Sequence, residues 1–200
     1  MGIQIDDAGW GCLIGPVFLG IYREETREYS FKEIPVQVFQ GGSMARKEYL
    51  QAAYGVTGQL LEKLKVGKEE HITVCTGEVL QGVRQHLADY RFKWTAGKIT
   101  GPLQVLVETT LLQKLNGLGL KVDYKTLTEQ QGLLFWHCVR WLKGGNLKGK
   151  ALPGRERLCK TGWKTFRVWA DLPYEEAKAA SKRLKAEQRK ERLLQLKYGY

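Results

Sequence analysis

The sequence predicts an α/β fold: a five-stranded mixed sheet with helices on both faces and a basic helical C-terminal extension. Short apolar runs with alternating or β-branched residues, each bounded by turn residues, predict strands. Longer segments with apolar residues three or four positions apart predict the helices between them. The 200 residues, 43% of them hydrophobic and 26% charged, suffice for one folded domain with a substantial core.

Three predicted strands come first and are joined by short turns, which favours an antiparallel meander. A fourth strand is rich in β-branched residues, and a fifth alternates apolar and polar residues, as expected for a strand with one solvated face. The predicted strands are Ile3–Asp6, Leu13–Tyr22, Tyr29–Phe39, His71–Cys75 and Leu120–Leu127.

Helical spacing is found after Ser43, after Val79, from Pro102 to Leu115, and from Thr128 to Leu142. The segment Arg91–Lys98 is basic and aromatic and is predicted to be a linker. It is either a base-stacking loop or an ordinary surface loop with two anchoring aromatics. Further predicted elements are a short strand at 164–169 and a final helix from Tyr174 to about Leu196.

The positive charge is concentrated in the last third of the chain. The net charge is +11, and residues 140–200 hold 17 Lys and Arg against 6 Asp and Glu, which accounts for the whole excess. Such a concentration indicates a polyanionic partner, most often nucleic acid, because the basic residues here alternate with Trp and Phe. A solvated basic face that aids solubility is the alternative interpretation.

Several classes of protein are disfavoured. No apolar run approaches the roughly 20 residues of a membrane-spanning helix, and no secretory signal is evident, so we expect a cytoplasmic protein without membrane contacts. The four cysteines are widely spaced, which argues against a zinc ribbon. No P-loop and no nucleophile elbow is present, so ATP hydrolysis and Ser-His-Asp chemistry have no support.

Two adjacent carboxylates, Asp6 and Asp7, end the first predicted strand just before Gly9. Like charges side by side repel, burial adds to the cost, and a divalent cation would relieve both. Carboxylate oxygens are the preferred ligands of Mg²⁺. The alternative is an Asp-Asp turn between strands. Glu78 follows the fourth strand in the same way, although an acid in a first helical turn is also favoured by the helix dipole.

The order of these elements resembles that of the ribonuclease H-like fold over about residues 1–142. Ile5-Asp6-Asp7-Ala8-Gly9-Trp10-Gly11 is similar to the Ile-Asp-Glu-Ala-Gly-Arg-Gly signature of type-2 ribonucleases H, and Ile14-Gly15-Pro16 matches the Ile-Gly-Pro that follows it there. The stretch also resembles the Ile-Asp-Pro-Gly opening of RuvC-type Holliday junction resolvases. In those resolvases the fourth strand ends in a Glu, which Glu78 matches.

The resemblance implies a two-metal-ion endonuclease with Mg²⁺ or Mn²⁺. Asp6 would bridge the ions, Glu78 would hold one of them, and Asp7 would stand where type-2 ribonuclease H has a second acid. The last catalytic acid would be Asp171, with Glu129 and Asp123 as alternatives. Trp10 replaces the arginine of the Gly-Arg-Gly loop, which weakens the case for RNA–DNA junction recognition.

The expected substrate is therefore branched or junction DNA, and the resemblance to junction resolvases, which work as dimers, would imply a homodimer. An RNA–DNA hybrid is the alternative substrate, and a non-catalytic nucleic-acid-binding protein on the same fold is the alternative function. The predicted nuclease domain is 1–175, with a basic linker or insertion at 143–170, followed by a basic helix at 176–200. The predicted nucleic-acid contacts are Arg155, Arg157, Lys160, Trp163, Lys164 and Arg167.

If the fold is right, the first and fourth strands lie side by side and run parallel. The carboxylates of Asp6 and Glu78 should then converge at one edge of the sheet and share a metal site. Placement of these two acids on opposite sides of the sheet would remove this catalytic proposal altogether.

Overall fold

The computed structural model describes residues 2–198 and contains a five-stranded sheet with helices on both faces. The strands are β1 (Gly2–Ala8), β2 (Val17–Arg23), β3 (Glu28–Ile34), β4 (His71–Val74) and β5 (Lys93–Ala96). The helices are α1 (Gly41–Ala45), α2 (Glu48–Lys63), α3 (Gln81–Asp89), α4 (Pro102–Gly117), α5 (Tyr124–Glu129), α6 (Gln131–Leu142), α7 (Pro153–Glu156), α8 (Phe166–Asp171) and α9 (Tyr174–Tyr198). A 3-10 turn, Val36–Phe39, precedes α1.

The strand order in the sheet is β3-β2-β1-β4-β5. The pairs β1–β2 and β2–β3 are antiparallel, whereas β1–β4 and β4–β5 are parallel. This mixed topology, with the crossover helices α2 and α3, is the arrangement expected of a ribonuclease H-like fold. The predicted fold class and the predicted parallel pairing of the first and fourth strands are therefore confirmed.

The two faces of the sheet carry separate cores, because successive side chains of a strand point to opposite sides. Ile3 and Ile5 of β1 face the core built with α2 and α3. Ala8 faces the other core, which contains the apolar stripe of α4 and residues of α6 and α8. The first six residues of β2 are buried, because β2 lies inside the sheet and is covered on both faces.

The predicted fifth strand was wrong. Residues 120–123 contain no strand, and α5 begins at Tyr124 because the Asp123 carboxylate accepts a hydrogen bond of 2.7 Å from the backbone N–H of Thr126. The fifth strand is instead β5, which lies in the segment predicted to be a linker and pairs with β4 from His71↔Lys93 to Val74↔Ala96. The predicted short strand at 164–169 is also wrong, since α8 begins at Phe166.

The last third of the chain is attached to the core rather than forming a free linker. The backbone of Gly15 donates to the Leu158 carbonyl at 2.8 Å, and that of Lys160 donates to the Leu13 carbonyl at 2.9 Å. Lys143 is fully buried, and its ammonium group donates to the carbonyl oxygens of Gly149, Ala170 and Leu172. The first two contacts tie residues 158–160 to the loop after β1, and those of Lys143 hold the segment 143–172 together.

The final helix, α9, confirms the predicted helix from Tyr174 and is exposed along residues 186–193. The predicted basic helix 176–200 extends to residues 199 and 200, which lie outside the described residues. No helix among residues 2–198 is long and apolar enough to cross a membrane.

Candidate functional site

Asp6 and Asp7 are neighbours on β1 but belong to opposite faces of the sheet. Asp6 is only 7% exposed and pairs with Gly20 of β2, on the face covered by α4. Asp7 shares the other face with Ile5. A Cβ atom added to Gly77, in the loop after β4, would lie 3.0 Å from the Oδ1 of Asp7. The two carboxylates therefore belong to different surroundings and do not act as one pair of ligands on a single face.

Burial raises the pKa of the Asp6 carboxyl group, and the charge of Glu108 raises it further. Hydrogen bonds from the Asp7 backbone N–H, at 2.9 Å, and from the Cys75 side chain act in the opposite direction. Burial and the Asp6 charge raise the pKa of the Cys75 thiol in turn. Asp6 is thus a buried acid with a second acid nearby, the environment that a bound cation would relieve.

Glu108 of α4 is the acid that the structure brings to Asp6, and the sequence analysis did not identify it. Its carboxylate accepts hydrogen bonds from Gln104 at 3.0 Å and from the Tyr124 hydroxyl at 2.7 Å. The bond to Glu108 and burial raise the pKa of Tyr124 to about 12, so this hydroxyl keeps its proton. One signal was present: Glu108 is the single acid in the helix 102–117.

A small cavity of about 220 Å³ opens between the loop after β1 and the helices α4 to α6. Its lining residues include Asp7 and Gly9 of the segment that ends β1, Glu108 of α4 and Gln131 of α6. The loop after β1 and Glu108 of α4 therefore line the same cavity.

Asp7 lies in an environment that disfavours its charge. Burial, followed by repulsion from Asp6, raises the pKa of Asp7 to about 7, although the positive charge of Lys160 opposes the shift. Asp7 is thus close to half protonated at neutral pH.

Glu78 does not converge with Asp6, contrary to the prediction. Its Oε1 accepts a hydrogen bond of 2.7 Å from the hydroxyl of Tyr49, a residue of α2 in the core on the face opposite Asp6. Burial and this bond raise the pKa of Tyr49 to about 12. The side chain beside Asp6 at the end of β4 is Cys75, whose backbone N–H continues the ladder to the Ile5 carbonyl at 3.0 Å.

Asp171 ends α8, is exposed, and forms an ion pair of 3.8 Å with Arg167. In residues 2–198, no group of three or more His, Cys, Asp or Glu side chains is arranged to hold a metal ion. The predicted metal set of Asp6, Glu78 and Asp171 is therefore not assembled. Of the alternatives to Asp171, Asp123 caps α5 and Glu129 ends it.

The six predicted nucleic-acid contacts divide into three groups. Arg157 and Lys164 are exposed, and Trp163 is half-buried. Arg155 stacks on the Trp141 ring at 4.6 Å and bonds its carbonyl, while Arg167 pairs with Glu156 at 3.3 Å as well as with Asp171.

The prediction for Lys160 is wrong, because this residue is fully buried. Its ammonium group donates to the Gly9 carbonyl at 3.0 Å and to the Cys12 carbonyl at 2.7 Å. Lys160 therefore holds the loop after β1 in place and cannot reach a phosphate.

Comparison with known proteins assigns the chain to no family. No family model matches the chain, and no curated protein matches it. Among solved structures, the catalytic core domain of BIV integrase matches over 94% of this chain and 97% of that one, with 14% sequence identity and a TM-score of 0.34. The strand order and directions of the sheet, rather than this match, identify the ribonuclease H-like fold.

Proposed function

We propose that this protein is a metal-dependent endonuclease that hydrolyses phosphodiester bonds in structured nucleic acid, with branched or junction DNA as its substrate. The observation that carries the proposal is the buried carboxylate of Asp6 beside Glu108 at the carboxyl end of β1. Ligands of α/β sheets bind outside the carboxyl ends of the strands, so this is where a reaction site is expected.

The two acids fit one Mg²⁺ or Mn²⁺ ion. Mg²⁺ is usually held by one or two carboxylates together with phosphate oxygens and water, so Asp6 and Glu108 suffice as protein ligands. A bound ion would activate water and stabilise the leaving oxygen of a phosphodiester. The chain itself orients the ligands, because Cys75 and the Asp7 backbone hold Asp6, while Gln104 and Tyr124 hold Glu108.

The basic surface supports nucleic acid as the partner. The exposed stretch of α9 carries Arg189, Lys190 and Arg192, and Arg157 and Lys164 add exposed charge on the segment before it. Phosphate contacts from Lys and Arg give sequence-independent affinity for nucleic acid. We extend the proposal to a possible homodimer, since a branched substrate presents two equivalent strands.

A non-catalytic nucleic-acid-binding protein on the same fold is the second candidate. Its support is Cys75, a thiol of raised pKa in the position next to Asp6 where a further carboxylate would complete a two-ion site. An RNA–DNA hybrid substrate gains no support from Trp10, whose ring packs against Phe39 and Tyr49 at centroid distances of 5.9 and 5.0 Å.

The test is cleavage of labelled four-way junction, flap and RNA–DNA hybrid substrates in Mg²⁺ or Mn²⁺. Asp6→Asn and Glu108→Gln should each abolish cleavage while the folded variants still bind substrate, because the carboxylates hold the ion and repel phosphate. Asp171→Asn is the matched control and should retain the turnover rate, because Asp171 is exposed and pairs with Arg167. Cleavage that survives Asp6→Asn would refute this site, and a wild type that binds without cleaving would favour the second candidate.

A further inference from the structure

A second cavity lies where the two cores meet, because Tyr49 belongs to the core with α2 and Trp163 packs against the core that contains α4. It has a volume of about 500 Å³ and lies between the start of α2 and residues 162–169. We call it the Trp163 pocket; the side chains used below are those of Lys47, Tyr49, Glu78, Trp163 and Lys164. Pockets of this size are typical of sites for small organic ligands.

The walls of the Trp163 pocket are fixed by contacts between distant parts of the chain. The Gly162 N–H donates to the Phe39 carbonyl at 3.0 Å, and a Cβ on Gly162 would lie 2.4 Å from the Cβ of Met44, so only glycine fits there. Trp163 meets the edge of Trp169 at 5.8 Å, and the Trp169 indole N–H is held by Ser181 of α9 at 2.9 Å. The half-buried ring of Trp163 is thus positioned before any ligand arrives.

The polar groups of the pocket are of two kinds. Lys47 and Lys164 are exposed, and within residues 2–198 neither ammonium group has an acidic or hydrogen-bonding partner. Glu78 is also exposed and is oriented by the Tyr49 hydroxyl, which occupies Oε1 and leaves Oε2 without a protein donor in this described region. Two free cations, one oriented acceptor and an indole ring therefore line one opening.

We propose that the Trp163 pocket takes one unpaired nucleotide of a single-stranded region, and this inference rests on the proposed function. The base would stack on Trp163, as bases do on aromatic side chains in proteins that bind single strands. Lys47 and Lys164 would pair with the flanking phosphates. Glu78 would accept a hydrogen bond from an exocyclic amino group, the contact that carboxylates make with cytosine N4.

Lys47 lies between the Trp163 pocket and a second groove into which a bound nucleic-acid strand would continue. Lys47 also lines a neighbouring groove of about 500 Å³ between α2 and α3, which contains the amide side chains of Gln51, Gln81 and Gln85. Glu78 lies three residues after Cys75, whose backbone N–H bonds the Ile5 carbonyl of β1, so the pocket adjoins the edge of the sheet at which β1 ends. An unpaired nucleic-acid strand bound here would lead toward the proposed reaction site.

The test compares the affinity of the full chain for fluorescein-labelled dC15, dT15 and a 15-base-pair duplex by anisotropy. Trp163→Ala should weaken dC15 binding by roughly tenfold or more, since one base-aromatic stack is lost, and Trp163→Phe should restore most of it. Lys47→Gln with Lys164→Gln should weaken dC15 binding more than Lys63→Gln with Lys125→Gln, a control pair of exposed lysines with the same loss of charge. Glu78→Gln should reduce the preference for dC15 over dT15.

Each outcome bears on the inference. Losses confined to the single-stranded probes support the Trp163 pocket as a site for an unpaired nucleotide. Unchanged dC15 binding in Trp163→Ala and in the Lys47 and Lys164 double variant would overturn it, and so would equal losses for dC15 and duplex. Failure of the wild type to bind any probe would refute the proposed nucleic-acid function itself, whereas duplex binding with unaffected dC15 binding would refute only the pocket.

Discussion

Asp6 and Gly20 lie opposite each other in the β1–β2 ladder, and the missing side chain of Gly20 is what allows α4 to come close to Asp6. A Cβ on Gly20 would lie 2.3 Å from a methyl carbon of Val107, the residue before Glu108. The proximity of the two acids therefore depends on a glycine in the middle of a buried strand.

Gly20→Ala should consequently lower the free energy of unfolding by about 1–3 kcal/mol, because the new methyl group overpacks the contact with α4. Urea denaturation followed by circular dichroism measures this change. Gly55→Ala is a suitable control, since Gly55 lies within α2 with open space around its Cα and should gain about 0.5–1 kcal/mol from helix propensity. An unchanged stability in Gly20→Ala would mean that α4 can move away without cost.

Asp7 should make the stability depend on pH between about 4 and 7. Its folded pKa of about 7 lies above the ordinary value of 3.8, so its contribution to stability is complete below the ordinary value and is lost as the pH rises through 7. Asp7→Asn should therefore raise the melting temperature relative to wild type at pH 8 but not at pH 4. The exposed acid Asp171, changed to Asn, should produce no such difference, and an equal effect of Asp7→Asn at both pH values would contradict the burial of this charge.

Lys160→Met should destabilise the protein by about 1–3 kcal/mol at pH 8, because the Cys12 carbonyl loses its buried donor. The loss should be smaller at pH 5, since Lys160 also offsets the charge of Asp7, which is protonated there. Chemical denaturation at the two pH values measures both effects. Lys164→Met, at an exposed position, should change stability by less than about 0.5 kcal/mol. Weaker DNA binding by Lys160→Met with unchanged stability would instead restore Lys160 as a surface contact.

Removal of α9 after Lys185 should reduce the salt dependence of nucleic-acid binding without unfolding the core. Each phosphate contact contributes about −0.9 to the slope of log K against log salt on duplex DNA, and residues 186–193 are exposed. Titrations from about 50 to 200 mM salt give the slope, and the melting temperature of the shortened chain shows whether the core is intact. An identical slope in the shortened chain would identify the helix as a solubility feature.

Most of the topology was predictable, because the residues of most strands and helices carry the sequence pattern typical of that element. The meander, β4 and the helices on both faces follow from alternation, β-branching and helical spacing in their own residues. The fifth strand was not predictable in this way, because β5 has only four residues and its identity as a strand depends on pairing with β4. Residues 120–123 alternate like a strand, yet the side chain of Asn116 holds the Val122 backbone through both its N–H and its carbonyl.

The site was predictable only in part, and the reason is the direction of side chains. The position of Asp6 at the end of β1 was correct, since it depends on one strand. Whether Glu78, Glu108 or Cys75 lies beside it depends on how three separate elements approach each other, which spacing along the chain does not determine. The burial of Lys160 was not predictable from the sequence either, because its carbonyl partners lie 151 and 148 residues away along the chain.

The attachment of Lys160 to Gly9 and Cys12 also sets an order of events during translation. The loop that follows β1 leaves the ribosome before the donor that holds it, because that donor is made 148 residues after Cys12. The isolated bridge between Ile14 and Cys159 likewise joins this loop to a segment that is made much later. The nascent chain can therefore form its meander early, while the loop beside Asp6 and Asp7 acquires its final shape only after the segment around Lys160 has been made.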